Sequence, residues 1–103
     1  MSANIRFHAG QIVEHRRFAY RGVIYCRDEQ FDLTDEWYEQ MAITRPPKDQ
    51  PWYGVLVDNT QQTTYVAERN LLLSNDKSQV NHPYLGVYFD EFDGLEYKLR
   101  EVN

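Results

Sequence analysis

Cysteine, metal-ligand spacing and long apolar runs are what this chain of 103 residues has least of. One cysteine, Cys26, excludes an internal disulfide and fits a reducing compartment. His8, His15 and His82 form no H-x-H or H-E-x-x-H pattern and have no second cysteine beside them, so neither metal nor cofactor is expected. No stretch approaches the roughly 18 apolar residues of a membrane span, and MSANIRFHAG lacks the apolar core of a signal peptide. These absences predict a soluble cytoplasmic protein. A surplus of positive charge is missing too. The net charge is −5, which opposes long-range attraction to nucleic acid.

What is present is aromatic. Eight Tyr, five Phe and two Trp make up 15% of the chain, and apolar residues 42%, enough for one domain over residues 1–103. Rings of this kind sit half in a core and half on a contact surface. Charge is uneven. Arg6 to Arg27 holds five arginines against Glu14, Asp28 to Glu39 holds six acids and no base, and the half from Pro51 onward is again acidic.

Gly10–His15 and Gly22–Arg27 alternate as two short strands around a loop, RRFAYR, with at least one strand covered on both faces. Cys26, in mid-strand, is expected to pack in the interior. Thr34 is an N-cap, with Asp35 and Glu36 in the first turn. Leu33, Trp37 and Met41 recur every fourth residue and put an apolar stripe on a helix of about two turns. Pro46 and Pro47 stop it. Strands follow at Gly54–Asp58 and Thr63–Ala67, then a tight turn, ERNL, and a fifth strand at Leu71–Leu73. Ser74–Asn81 is polar and predicts a loop or hinge. Pro83 opens a short helix over His82–Phe89 that buries Leu85 and Phe89. Asp93-Gly94 turns into a last strand through Leu95, Tyr97 and Leu99. The expectation is an all-β domain: an SH3-like five-stranded barrel over about 7–73 with one inserted short helix, and a C-terminal helix/strand extension over about 82–99.

Nothing here is arranged for catalysis. Asp90, Glu91 and Asp93 look like a solvated acidic turn. Binding is the leading class of function. The stretch RPPKDQPWY offers a proline-stiffened platform, making Tyr38, Pro46, Pro47, Lys48, Asp49, Gln50, Trp52 and Tyr53 candidates for partner contact. Set against this, Trp37 and Trp52 could pack together and pin the helix to the barrel, and Asp49 could merely cap a turn. His15, Arg16, Arg17 and Arg21 are the candidates for DNA contact, because a hairpin tip can deliver guanidinium groups to phosphates. A structural homo-oligomer is a third possibility raised by the aromatics.

GQIVEHRRFAYRGVIY, DEWYEQMA, RPPKDQPWYGVLVD, TTYVAERNL and HPYLGVYFDEFDG together resemble the bacterial HspQ family, also called YccV-like or hemimethylated-DNA-binding proteins. The resemblance runs from about Phe7 to Tyr97. It implies an SH3-like barrel in a heat-inducible cytosolic stress-response protein with two activities. One is promoting degradation of denatured or unstable proteins, the replication initiator DnaA among them, by modulating the ATP-dependent protease Lon. The other is binding hemimethylated DNA near the replication origin. Related domains in adaptor subunits of other degradation systems favour the first. No catalytic residue comes with the resemblance.

Overall fold

Glycine at position 22 lets the two central strands come together: a Cβ there would lie 2.5 Å from the Leu56 carbonyl oxygen and from Val55 Cγ1. In the computed structural model, which describes residues 7–101, those strands are β2 (Arg21–Asp28) and β3 (Trp52–Val57). β1 (Ile12–His15) and β5 (Leu71–Leu73) extend the sheet beyond β2, and β4 (Thr63–Ala67) extends it beyond β3. All neighbours are antiparallel in the order β4-β3-β2-β1-β5.

The sheet is apolar on both faces, as the double-sided patterning of β2 predicts. On one face Phe7, Val13, Ile24, Tyr53, Val55, Val66 and Leu71 form a cluster to which every strand contributes, so the sheet curls around it. On the other, Ile12, Val23 and Leu56 are covered by Val80, Phe89 and Tyr97 from the C-terminal extension. The architecture is mostly antiparallel sheet with two helices. The ladder ends at β4 on one side and β5 on the other; the hydrogen bonding describes an open, curled sheet and not a closed five-stranded barrel.

The expected helix is present as α1 (Asp35–Met41), the 3-10 turn is Glu68–Asn70, and β5 spans the residues expected of it. Two further expectations need correction. The second helix shrinks to one turn, α2 (Leu85–Tyr88), because the chain becomes extended at Phe89 and forms β6 (Phe89–Phe92), which pairs with β7 (Tyr97–Leu99). The acidic run at Asp90 and Glu91 is therefore strand, and only Asp93-Gly94 turns. Amides of Glu96 and Leu95, together with Lys98, hold the Asp93 carboxyl at a pKa of about 2. Second, a bulge between Ile24 and Cys26 shifts the register of β2 and leaves Cys26 exposed. Its Sγ still rests near Gly54, and that partial cover raises the thiol pKa.

Ser74–Asn81 is a loop, as its polar run predicts, and it is held down. The Arg21 guanidinium donates to the carbonyls of Asp76, Ser78 and Gln79 and pairs with Asp58, binding the loop across the sheet. The Gly10 carbonyl accepts from Tyr97 N–H at 2.9 Å, which ties β7 to the start of β1.

Candidate binding surface

Helix α1 forms where its caps require. Thr34 Oγ1 accepts from Trp37 N–H at 3.1 Å, and Asp35 and Glu36 occupy the first turn. At the other end Arg45, at φ +52°, donates through Nη1 to the carbonyls of Tyr38 and Glu39.

The proline loop then folds back on the helix instead of projecting from it. Tyr38 hydroxyl donates to the Pro46 carbonyl at 2.7 Å, and Trp52 Nε1–H donates to the Pro47 carbonyl at 3.1 Å. Lys48 Nζ lies 4.4 Å from the centre of the Tyr38 ring and 3.0 Å from Asp35 Oδ1. Around Trp52 gather Phe31, Trp37, Tyr38 and Tyr65, the last stacked on it at 5.3 Å.

This placement revises the expected contact surface. Trp52 and Tyr53 are 1% and 0% exposed, and Pro46 is buried as well. Tyr53 packs into the five-strand cluster and donates its hydroxyl to the buried Glu68 carboxylate at 2.6 Å; burial and that carboxylate raise its pKa. The adjacent rings at 52 and 53 do point to opposite faces, but both faces are covered. Tyr38 is half-buried. Pro47, Lys48 and Asp49 are exposed and Gln50 is intermediate, which leaves them as a rim only.

The four DNA candidates divide in the same way. His15 is buried, and its Nδ1 accepts from the amides of Arg17 and Phe18, both at 3.1 Å. The ring stacks on Phe18 at 4.7 Å and lies 5.2 Å from Tyr20. Burial first, then the Arg17 charge, lowers its pKa, so the imidazole is the neutral organiser of the hairpin tip and no phosphate ligand. Arg21 is consumed by Asp58 and the 76–79 carbonyls, with its side chain 15% exposed. Arg16 and Arg17 remain exposed, and among the described residues neither has a carboxylate within ion-pairing distance.

Sequence reasoning missed the feature between these parts. A cleft of about 510 Å³ runs along β4, walled on one side by Leu33, Trp37 and Met41 and on the other by Phe18 and Tyr20. Phe18, Leu33, Met41 and Ile43 are 55%, 45%, 59% and 66% exposed, an unusual density of large apolar groups in water. The four-residue spacing of Leu33, Trp37 and Met41 was a legible signal, but it pointed to a buried stripe, whereas only Trp37 is partly covered.

The three histidines lie apart. His8 pairs with Glu96 at 2.8 Å, and His82 is buried with Nε2 on the Gln62 carbonyl and Nδ1 accepting from Tyr84 N–H. Among the described residues no group of three His, Cys, Asp or Glu side chains could hold a metal ion. None of their helices is long and apolar enough to cross a membrane.

Residues 5–96 match the family model described as hemimethylated DNA-binding protein YccV like. The chain belongs to the YccV-like family. Similar proteins include F-box only protein 21 of Homo sapiens and of Pongo abelii, each 33% identical over 96 residues, and of Mus musculus, 32% identical over the same length. That alignment takes in 91% of this chain and 15% of each of those proteins. The YccV-like chain thus spans about 15% of the length of the curated relatives it matches. No solved structure matches it.

Proposed function

We propose that this YccV-like chain is a non-enzymatic cytoplasmic heat shock factor. It promotes degradation of denatured or unstable proteins, DnaA among them, by modulating the ATP-dependent protease Lon. The observation that carries this reading is the cleft along β4, where exposed Phe18, Leu33, Met41 and Ile43 surround a space of about 510 Å³. Denatured proteins differ from folded ones in exposing apolar side chains, and an apolar cleft on a rigid scaffold is suited to hold them. A bound factor alters a protease only through differential affinity for its states, so the cleft would hold the client while another face meets Lon.

The test adds purified protein to Lon, ATP and an unfolded client, and follows the loss of client. The native chain is expected to change the rate at least severalfold, and the Phe18→Ser/Met41→Ser pair is expected to remove the change. Unchanged degradation with every client tried rejects the reading.

A second reading, binding of hemimethylated DNA near the replication origin, is favoured by the family description and by Arg16 and Arg17 at the hairpin tip, which have no carboxylate within ion-pairing distance among the described residues. Two phosphate contacts would give affinity for a hemimethylated duplex that falls with log salt at a slope of roughly −2. The Arg16→Ala/Arg17→Ala pair should flatten that slope, and a slope unaltered by this change rejects the tip as the contact.

A further inference from the structure

The cleft follows the free edge of a strand, and that fact specifies the shape of what enters it. Among the described residues β4 pairs with β3 on one side only. Val57 N–H donates to the Gln62 carbonyl and Glu68 N–H to the Pro51 carbonyl. Counting in twos between those bonds puts residues 62, 64, 66 and 68 in the hydrogen-bonded pairs with β3. The backbone groups of Thr63 and Tyr65 therefore point away from β3, to the open side, and no backbone or side-chain group among the described residues pairs with them.

All five residues of β4 line the cleft. Its walls stand on opposite faces of the strand. Tyr65 lies against Trp37 at 5.7 Å on the α1 side, while Thr64 meets the Tyr20 hydroxyl at 2.7 Å on the hairpin side. A strand laid on this edge would send alternate side chains toward Leu33 and Met41 and toward Phe18.

Charge fixes one end of the occupant. Arg27, Arg45, Lys48, Lys98, Arg100 and Arg21 are each ion-paired with a carboxylate. Arg16, Arg17 and Arg69, like Lys77 in the 74–81 loop, are not so paired among the described residues, and the chain at Arg69 and at Arg16 lies just past the Ala67 end of the cleft. Arg17 lines it, Arg16 N–H donates to the carbonyl of the lining residue Asn70, and Arg69 donates to the carbonyl of the lining residue Thr44. In a chain of net charge −5, three such guanidinium groups beside an apolar groove complement an anionic flank.

We propose that the cleft binds an extended segment of an unfolded protein as an added antiparallel strand on β4. The segment has alternating apolar side chains and acidic residues at its N-terminal flank, where Arg16, Arg17 and Arg69 meet them. This rests on the reading of the cleft as the client site and deepens it: backbone hydrogen bonds to Thr63 and Tyr65 supply affinity without regard to sequence, and the two walls and the arginines select. A factor that serves many unfolded clients needs that division of labour.

The test uses the full chain and a synthetic ten-residue peptide, two Asp followed by alternating Val and Thr, followed by amide exchange and side-chain signals. Binding is expected to slow exchange at the Thr63 and Tyr65 amides at least tenfold and to shift the Phe18 and Met41 signals. A proline at the centre of the peptide should weaken binding at least tenfold, since it cannot donate to the ladder. Lys in place of the Asp pair, or Arg16→Glu/Arg17→Glu in the protein, should each weaken binding several-fold. If the peptide shifts Phe18 and Met41 while the Thr63 and Tyr65 amides exchange as before, strand addition is wrong and the client cleft stands. If a hemimethylated duplex perturbs the cleft and no peptide does, both fall.

Discussion

β3 and β4 are neighbours joined by five residues, and they meet opposite fates. All six residues of β3 are buried, while β4 buries only Val66 and Ala67 and offers its outer edge to a cleft. Both strands carry aromatic and β-branched residues, so the difference does not lie in composition. β3 has β2 on one side and β4 on the other, with apolar layers above and below. Among the described residues β4 has one strand neighbour, and α1 meets it through Trp37 and Tyr65 only on one face. An apolar residue ends up inside or outside according to how many elements close over it.

Replacing Trp52, the largest buried side chain of β3, is the strongest way to break this contrast. Trp52→Ala should cost about 3–5 kcal/mol of unfolding free energy in urea titration, because four surrounding rings lose their common neighbour. A loss under 1 kcal/mol would mean that the α1 layer is not held by it. Arg21→Ala should come next, at about 2–3 kcal/mol, since three carbonyls and Asp58 lose a charged donor. It should also expose the 74–81 loop to proteolysis while leaving DNA affinity unmoved, the opposite of what a phosphate contact predicts.

Tyr53→Phe is expected to cost about 1–2 kcal/mol, as the buried Glu68 carboxylate loses the hydroxyl that donates to it. On the β4 side the expected cost disappears. Phe18→Ser and Met41→Ser should each alter stability by less than about 0.5 kcal/mol, while the two together remove the effect on client degradation. Large destabilisation by either would move the cleft walls into the core.

The smallest expected effect sharpens the boundary between the two regions. The folded state holds the His15 pKa below its ordinary 6.5, so the unfolded chain binds the proton more readily. The stability from its neutral form is complete above about pH 6.5 and is lost as pH falls below that toward the folded pKa. His15→Gln should flatten that part of the stability curve between pH 7 and 5, measured by thermal melts. An unchanged curve would assign the acid sensitivity elsewhere.

Local signals carried much of the fold. The Thr34 cap with two acids behind it, the prolines after Met41, the Asp93-Gly94 turn and the alternation of β2 to β5 each depend on near neighbours. β6 escaped because Pro83, Leu85 and Phe89 are spaced as a helix would space them, and only pairing with β7 makes Phe89 extended. The cleft escaped for a related reason. The WY dipeptide beside prolines has the chemistry of a binding platform, and its burial arises from α1 folding back through Tyr38 and Pro46, contacts eight residues apart.

By itself the sequence determined an aromatic-rich, acidic, mostly β domain of the YccV-like family, because periodicity, caps and turns are properties of adjacent residues. Tertiary structure decided which arginine is free and which is spent, and which apolar side chains face water. Those outcomes depend on partners distant in the chain, such as Asp76 to Gln79 for Arg21, and on an edge of β4 that no other strand among the described residues covers.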